Sequence, residues 1–593
     1  MSQQTGNDRL IIANCSGFYG DRIDAAREMV EGGPIHVLSG DYLAELTMAI
    51  LKKDALKDPG LGYARTFLRQ MEAVMGPCLD RKIRVVSNAG GLHPTAMAEK
   101  ILEIAENLGL RPTIACITGD DLMDRLDDLH NKGEAFIHMD RGIGLKKAGA
   151  VPITANAYLG GWGIAAALAE DADIVICGRV ADAALVAGPA AWHFGWAKDD
   201  WDRLAGAYAA GHIIECGAQA TGGNYSFIDE VPTYKNIGFP IAEILENGDF
   251  TITKHPGTGG VVSTGTITAQ LLYEIREPGY LTPDVTVRLD TLKLVQEGPD
   301  RVFASGTKGE PPPETAKVCI NTSGGYRSAM TLILTGLDIE KKAKAIEDTL
   351  FASLGGKHRF ESSDVRLIRQ DKPDPPTNEE AFAYLQITVT DPDEKKVIPF
   401  SRRFVELTLA SIPGFTPTGP PPRPSQVIVH WPSLVSMSHL RQRVHIGDKT
   451  VTVEEAAPAG GGSETIQPYD PPLPEPPGKP SVRLPLGRVF ATRSGDKGGN
   501  ANLGVWAKTP EAYAFLQAFL TTEKLKELLP DCAAYEIERY RLPNLLALNF
   551  YIRGILGDGA AASLRIDPQG KTLGEYLRAR VIDMPEAIAP KTG

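Results

Sequence analysis

The chain has 593 residues, and 62 Lys and Arg against 74 Asp and Glu leave a net charge of −12. Hydrophobic residues make up 43% and charged ones 23%, a globular balance that excludes wholesale disorder and a small disulfide-stapled scaffold. Such a length predicts about two to four domains, and the acidic balance argues against a nucleic-acid partner, which needs clustered cations.

Seven cysteines are scattered singly with no CxxC pair, which predicts reduced thiols rather than a zinc ribbon or dithiol motif. The first residues lack a basic region followed by an apolar stretch, and the final Lys-Thr-Gly is not a peroxisomal signal. No apolar run reaches the roughly 18 residues of a membrane span. The expectation is a soluble, cytoplasmic protein with no membrane partner.

Short apolar runs then alternate with helical patterns. Strands are predicted at Arg9–Ala13, Ile35–Leu38, Ile83–Asn88, Thr113–Ile117 and Asp173–Cys177, with helices such as Thr95–Leu108 between them. Continuous apolar strands separated by helices predict an α/β fold with a mostly parallel sheet flanked by helices. Each strand runs into Gly with Asp, Asn or Arg: Gly17 and Asp21, Asp41, Asn88 with Gly90 and Gly91, Asp120 and Asp121, Arg179 and Asp182. Ligands of open α/β sheets bind outside that carboxyl edge. One such residue alone is best read as a helix cap worth about 1 kcal/mol; as a set they predict a shared site. The four acidic residues Asp41, Asp120, Asp121 and Asp182 also offer hard oxygen ligands for a divalent cation.

From Asn236 to Val453 the pattern is mixed, with a helical run at Ile267–Glu277 and strands at Tyr384–Thr390 and Gln426–His430. Residues 456–486 hold Gly460-Gly-Gly462 and eight prolines between Pro468 and Pro485, which predicts an extended linker. The domains expected are therefore 1–455, divisible at 235/236, and a small α+β domain at 487–593.

Two further motifs carry chemistry. His212-Ile-Ile-Glu215-Cys216, followed by Gln219, Gly222 and Gly223, puts a proton shuttle and a carboxyl on one helical face. It lacks the second imidazole of a zinc site, and Cys216 reads as structural. Ser494-Gly-Asp496-Lys497-Gly-Gly-Asn500 is a loop able to hold a phosphate or carboxylate, or a glycine-rich hairpin with its Lys in solvent. No complete phosphate loop or dinucleotide fingerprint occurs, which disfavours a nucleotide-dependent ligase.

These motifs resemble the AtuA family of acyclic terpene utilisation proteins, long catalogued as a domain of unknown function. The resemblance lies in Ala13–Arg22, Gly40–Glu45, Val86–Gly91, Gly178–Asp182, Glu215–Gly223 and Arg493–Asn500. His93 and Ala181 depart from the common Asn and Thr, so neither side chain is given a role. The resemblance implies a large N-terminal domain with a small ferredoxin-like C-terminal one. It also implies a setting beside enzymes that degrade citronellol and geraniol through acyl-CoA intermediates.

The expectation is a catabolic homo-oligomer acting on a branched-chain or isoprenoid acyl-CoA or related carboxylic acid, by hydratase, lyase or thioester-hydrolase chemistry. Asp41, Asp182, His212 and Glu215 are the acid/base candidates. Gly17, Asp21, Asn88, Gly90, Gly91, Asp120, Arg179, Gln219, Gly222, Gly223, Asp496, Lys497 and Asn500 are the binding candidates. No cofactor is assigned, a CoA thioester being substrate. The rival expectation is a non-catalytic ligand sensor or scaffold.

Overall fold

The computed structural model describes residues 9–454 and 466–590, so Gly460-Gly-Gly462 of the expected linker lies outside the described residues. The strands in the first part are β1 (Arg9–Asn14), β2 (Val37–Gly40), β3 (Arg84–Ser87), β4 (Ile114–Thr118), β5 (Pro152–Ala157) and β6 (Ile174–Cys177). Five of them were expected, and those five lie side by side in the order β1-β2-β3-β6-β4. Every neighbouring pair among them is parallel.

Two helical layers cover this centre because side chains alternate along each strand. Leu10, Ile12, Val86, Ile117 and Val175 enter one apolar core, shared with helices Trp162–Ala169, Ala184–Phe194 and Trp201–Ile214. Ala13, Val85, Cys116, Ile174 and Ile176 enter the other, with helices Ala25–Glu31, Arg65–Asp80 and Pro94–Asn107.

The expectation of a mostly parallel sheet needs correction. β7 (Pro240–Leu245) and β8 (Phe250–Lys254) extend the β1 edge, continued by Arg301–Ser305 and Lys293–Gly298. Arg441–Ile446 and Lys449–Glu454 extend the β4 edge. All of these join antiparallel, so the eleven-stranded sheet is mixed. For β7 and β8 the cause is connection length: they are joined by four residues, too few for the crossover that a parallel neighbour needs.

The chain forms two compact units. One comprises the chain up to Asn321 with His430–Ala560 and the chain from Asp567; the other comprises Thr322–Val429 and Ala561–Ile566. That boundary does not coincide with 235/236. In the second unit Tyr326–Thr335 pairs antiparallel with Phe382–Asp391, which pairs with Ser362–Ile368. Leu332, Leu385, Ile387, Phe400 and Phe404 form its core.

The C-terminal part belongs to the first unit. Its sheet runs Ala491–Lys497, Asn500–Trp506, Ala547–Ile552, Ile537–Leu542, all antiparallel, with helices Pro510–Phe519 and Thr522–Leu528. Residues 466–480 form no helix or strand, as eight prolines between Pro468 and Pro485 require. Ser481–Pro485, inside the expected linker, pairs with Val581–Pro585.

Buried asparagines hold the C-terminal sheet to the rest of the unit. Asn502 Nδ2 donates to Leu272 O and Asn549 Oδ1, while its Oδ1 accepts from Glu274 N at 3.0 Å. Asn549 Nδ2 donates to Ile275 O and Arg276 O. Asn502→Ala leaves two buried backbone groups unpaired, at roughly 1–3 kcal/mol for each. A fall in the urea midpoint at unchanged slope is the expected result; an unchanged midpoint contradicts the anchoring role.

Candidate functional site

Because the five central strands run the same way, Asp41, Asn88, Asp120 and Arg179 emerge at one edge of the sheet. They support one another. Asn88 Oδ1 accepts from Tyr42 N at 2.8 Å and its Nδ2 donates to Asp41 Oδ1. Asp120 Oδ2 accepts from Arg179 N and from Asn156 Nδ2, both at 2.9 Å. Arg179 is only 2% exposed; its guanidinium donates to Asp182 and lies 4.0 Å from the centre of the Tyr158 ring.

Four residues absent from the sequence expectations complete this floor. Glu45 opens helix Glu45–Lys57, Tyr158 follows β5, Lys317 lies in strand Thr315–Thr335 and His430 in Ser425–Ser436. Tyr158 Oη and Lys317 Nζ both donate to Glu45 Oε1, at 2.9 and 3.0 Å. Only Glu45 carried a sequence signal, as the last residue of Gly40-Asp-Tyr-Leu-Ala-Glu45. Cys319 Sγ lies 3.9 Å from His430 Nδ1, and His430 Nε2 lies 4.0 Å from Glu45. The order thiol, imidazole, carboxylate resembles an activated nucleophile. Yet Cys319 has no exposed surface, and burial pushes its thiol up to about 12 and His430 down to about 4. That makes a neutral, buried pair.

His212, in the last turn of helix Trp201–Ile214, places Nδ1 3.1 Å from Glu215 Oε1, as the helical spacing predicts. Its ring packs 4.8 Å from that of Tyr280. Opposite stands the C-terminal hairpin. Lys497 and Asn500 face each other across Gly498-Gly499, with Gly498 at φ +63°, where a side chain would be strained. Asn500 fixes the turn through Asp140, Tyr551 Oη and Gly554 N. Asp496 pairs with Lys571 at 3.3 Å, while Arg493 donates to Gln219 and lies 4.2 Å from the Tyr273 ring. The C-terminal residues thus come from the same chain.

Glu45, Lys317 and Asp182 keep 31%, 29% and 26% of their side-chain surface accessible, yet burial is the largest influence on each. Such side chains line a recess. Within it the carboxyls diverge. Burial, then Asp182, raises Asp41; burial, then Asp182 and Glu274, raises Glu215 well above the carboxylate range. Burial also raises Asp182, against Arg179, and lifts Asp496 to about 6. Glu45 goes the other way: burial opposes its charge, but its cations, Lys317 foremost, hold it well below the ordinary value. Burial lowers His212 to about 4 and raises the Cys216 thiol well above its usual value, so neither is charged at neutral pH.

Other expected residues are placed differently. The N–H groups of Gly17, Gly91, Gly222 and Gly223 donate to Asp21, Asn88 O, Gln219 O and Ala218 O, so they are engaged in their own turns. A Cβ on Gly90 would lie 2.6 Å from Cys177 O, which makes it a close-packing position. Asp21 closes the Gly17 turn, and Asp121 accepts from Met123 N. Among the described residues no three His, Cys, Asp or Glu side chains gather as metal ligands. Nor is any helix long and apolar enough to cross a membrane.

Burial raises Asp120 from 3.8 to about 6. The native state then holds this proton more tightly than the unfolded chain. The associated stability is present below pH 3.8 and is lost as pH rises through about 6. Asp120→Asn should remove that slope from urea-midpoint measurements across this window; an unchanged slope assigns it to other groups.

The chain matches the description "Acyclic terpene utilisation family protein AtuA" over residues 10–446 and "AtuA ferredoxin-like domain" over residues 484–583. No curated protein matches it at a significant level. The first match covers well over half of the sequence and spans the floor of the recess, and the second contains Lys497. The chain belongs to the AtuA family of acyclic terpene utilisation proteins.

Proposed function

We propose that this chain is a catabolic enzyme performing acid/base chemistry on a branched-chain or isoprenoid acyl-CoA, or on the related carboxylic acid. The observation that carries the reading is the division of carboxyls within one recess. The proton affinity of Glu45 is pushed well below the ordinary carboxylate range and those of Glu215 and Asp41 well above it, beside the cations Arg179 and Lys317. Carboxyls whose proton affinities are pushed apart can serve as base and acid in one turnover. Arg179 and Lys317 would polarise a carbonyl or hold a carboxylate, since preorganised charge in a dry site stabilises developing negative charge. Addition or elimination of water fits this inventory best, with Glu45 as base and Glu215 as acid. Asn88 and Asp120 position Asp41 and Arg179. The family's description as acyclic terpene utilisation supports an isoprenoid acyl group. A cytoplasmic setting accords with seven free cysteines.

Incubation with a panel of branched and isoprenoid acyl-CoAs and free acids, followed by mass spectrometry, tests the reading. Conversion of at least one unsaturated–hydroxylated pair is expected; binding without conversion across the panel contradicts it and favours a ligand sensor. Glu215→Gln copies the neutral carboxyl, so the melting temperature should hold while turnover falls about 10²–10⁴-fold. Retained turnover removes Glu215 from the chemistry.

A further inference from the structure

Lys497 stands out among the cations of the recess. Arg179 is paired with Asp182, Lys317 with Glu45, and Lys571 with Asp496. Among the described residues the Lys497 ammonium has no ion pair and no hydrogen bond, although its backbone carbonyl accepts from Asn500. Its own sequence neighbour Asp496 is taken by Lys571. The hairpin that carries it is closely packed at Gly499. A Cβ on Gly499 would lie 2.2 Å from Gly557 O, and one on Gly498 would lie 3.6 Å from His430 Cδ2, beside the Glu45 cluster. The charges acting on Lys497 are Lys317, Glu274, Glu45 and Glu215, among which Glu45 and Lys317 belong to the same cluster as His430. Burial, followed by the like charge of Lys317, lowers its proton affinity. A desolvated lysine beside a second cation is the arrangement that turns an ammonium into a nucleophilic amine.

We propose that Lys497 captures the carbonyl carbon of a keto acid, or of a 3-oxoacyl chain, as an imine within this recess, the proposal resting on the acid/base reading above. The neutral amine forms a bond to the carbonyl carbon as the carbonyl π bond breaks onto oxygen. One amine proton passes to that oxygen, giving a carbinolamine. Glu215 supplies a second proton, the C–O bond breaks, and water leaves with one hydrogen from the amine and one from Glu215. The product is a protonated imine on Lys497 beside an ionised Glu215, with no oxidant or reductant involved. Arg179 and Lys317 hold the substrate's carboxylate or thioester oxygen. The iminium then serves as the electron sink for breaking a C–H or C–C bond next to the captured carbon.

Formaldehyde with cyanoborohydride at neutral pH is the direct probe, because the smallest carbonyl needs no specific pocket and the reductant fixes each imine as it forms. Peptide mass spectrometry follows methylation at every lysine. Lys497 is expected to react before solvent lysines such as Lys395, since each unit of lowered proton affinity gives about tenfold more free amine. Glu215→Gln should slow Lys497 alone, an effect that a purely structural lysine would not show. Methylation of Lys497 together with, or after, the solvent lysines overturns the proposal. A second arm uses acetoacetate with borohydride: an adduct confined to Lys497 supports keto-acid capture, and its absence overturns the substrate class. Turnover of the acyl-CoA panel with no imine formation would sink this inference and leave the acid/base reading standing. Imine formation without panel turnover would do the reverse.

Discussion

Arg179 is the charge on which the rest of the recess depends. A guanidinium taken out of water is costly unless it is paired with opposite charge. Here the backbone N–H of Arg179 is held by Asp120, its head by Asp182, and its flat face by Tyr158. Its cation acts on Asp41, Glu45, Asp182 and Glu215, each of which stands on a different segment. Removing its charge would leave four buried carboxyls with fewer counter-charges. The opposed proton affinities of Glu45 and Glu215 then follow from local balance, with Lys317 beside one and carboxyls beside the other.

The C-terminal sheet supplies what the N-terminal sheet lacks. The strands of the large sheet bring carboxylates and one arginine to their edge, and the hairpin at residues 497–500 adds an amine with no ion-pair partner among the described residues. The glycines of the motif have packing reasons. A Cβ on Gly495 would sit 2.4 Å from the Tyr273 ring, and one on Gly504 would sit 2.7 Å from Leu272. Asn502 and Asn549 lock the same strands to the first part of the chain. Close packing of the C-terminal strands on the residues that follow helix Thr264–Leu271, rather than phosphate binding, accounts for these small residues.

The parallel centre was legible because its strands are continuous apolar runs ending in polar residues. That pattern brought Asp41, Asn88, Arg179 and Asp182 to one place. The antiparallel wings were not legible, since residues 236–305 and 441–454 show no mark of which edge they join. For the same reason Tyr158, Lys317 and His430 went unread: each lies in, or just after, a strand whose neighbours are far away in sequence. Lys497 was read as an anion-binding residue or a solvated one. Its lowered proton affinity depends in part on the charge of Lys317, 180 positions earlier, which no local spacing reveals. The glycines near Gly17 and Gly222 look like ligand-binding turns in sequence because a tight turn and an oxyanion donor need the same residue.

The arrangement pushes the proton affinities of two glutamates apart, Glu45 downward and Glu215 upward, so that one favours the ionised and the other the protonated state. Infrared difference spectroscopy of the carboxyl stretch tests this most directly. At neutral pH the account predicts a protonated-carboxyl band that is lost on replacing Glu215 by Gln. A spectrum with only ionised carboxylates at neutral pH would contradict it.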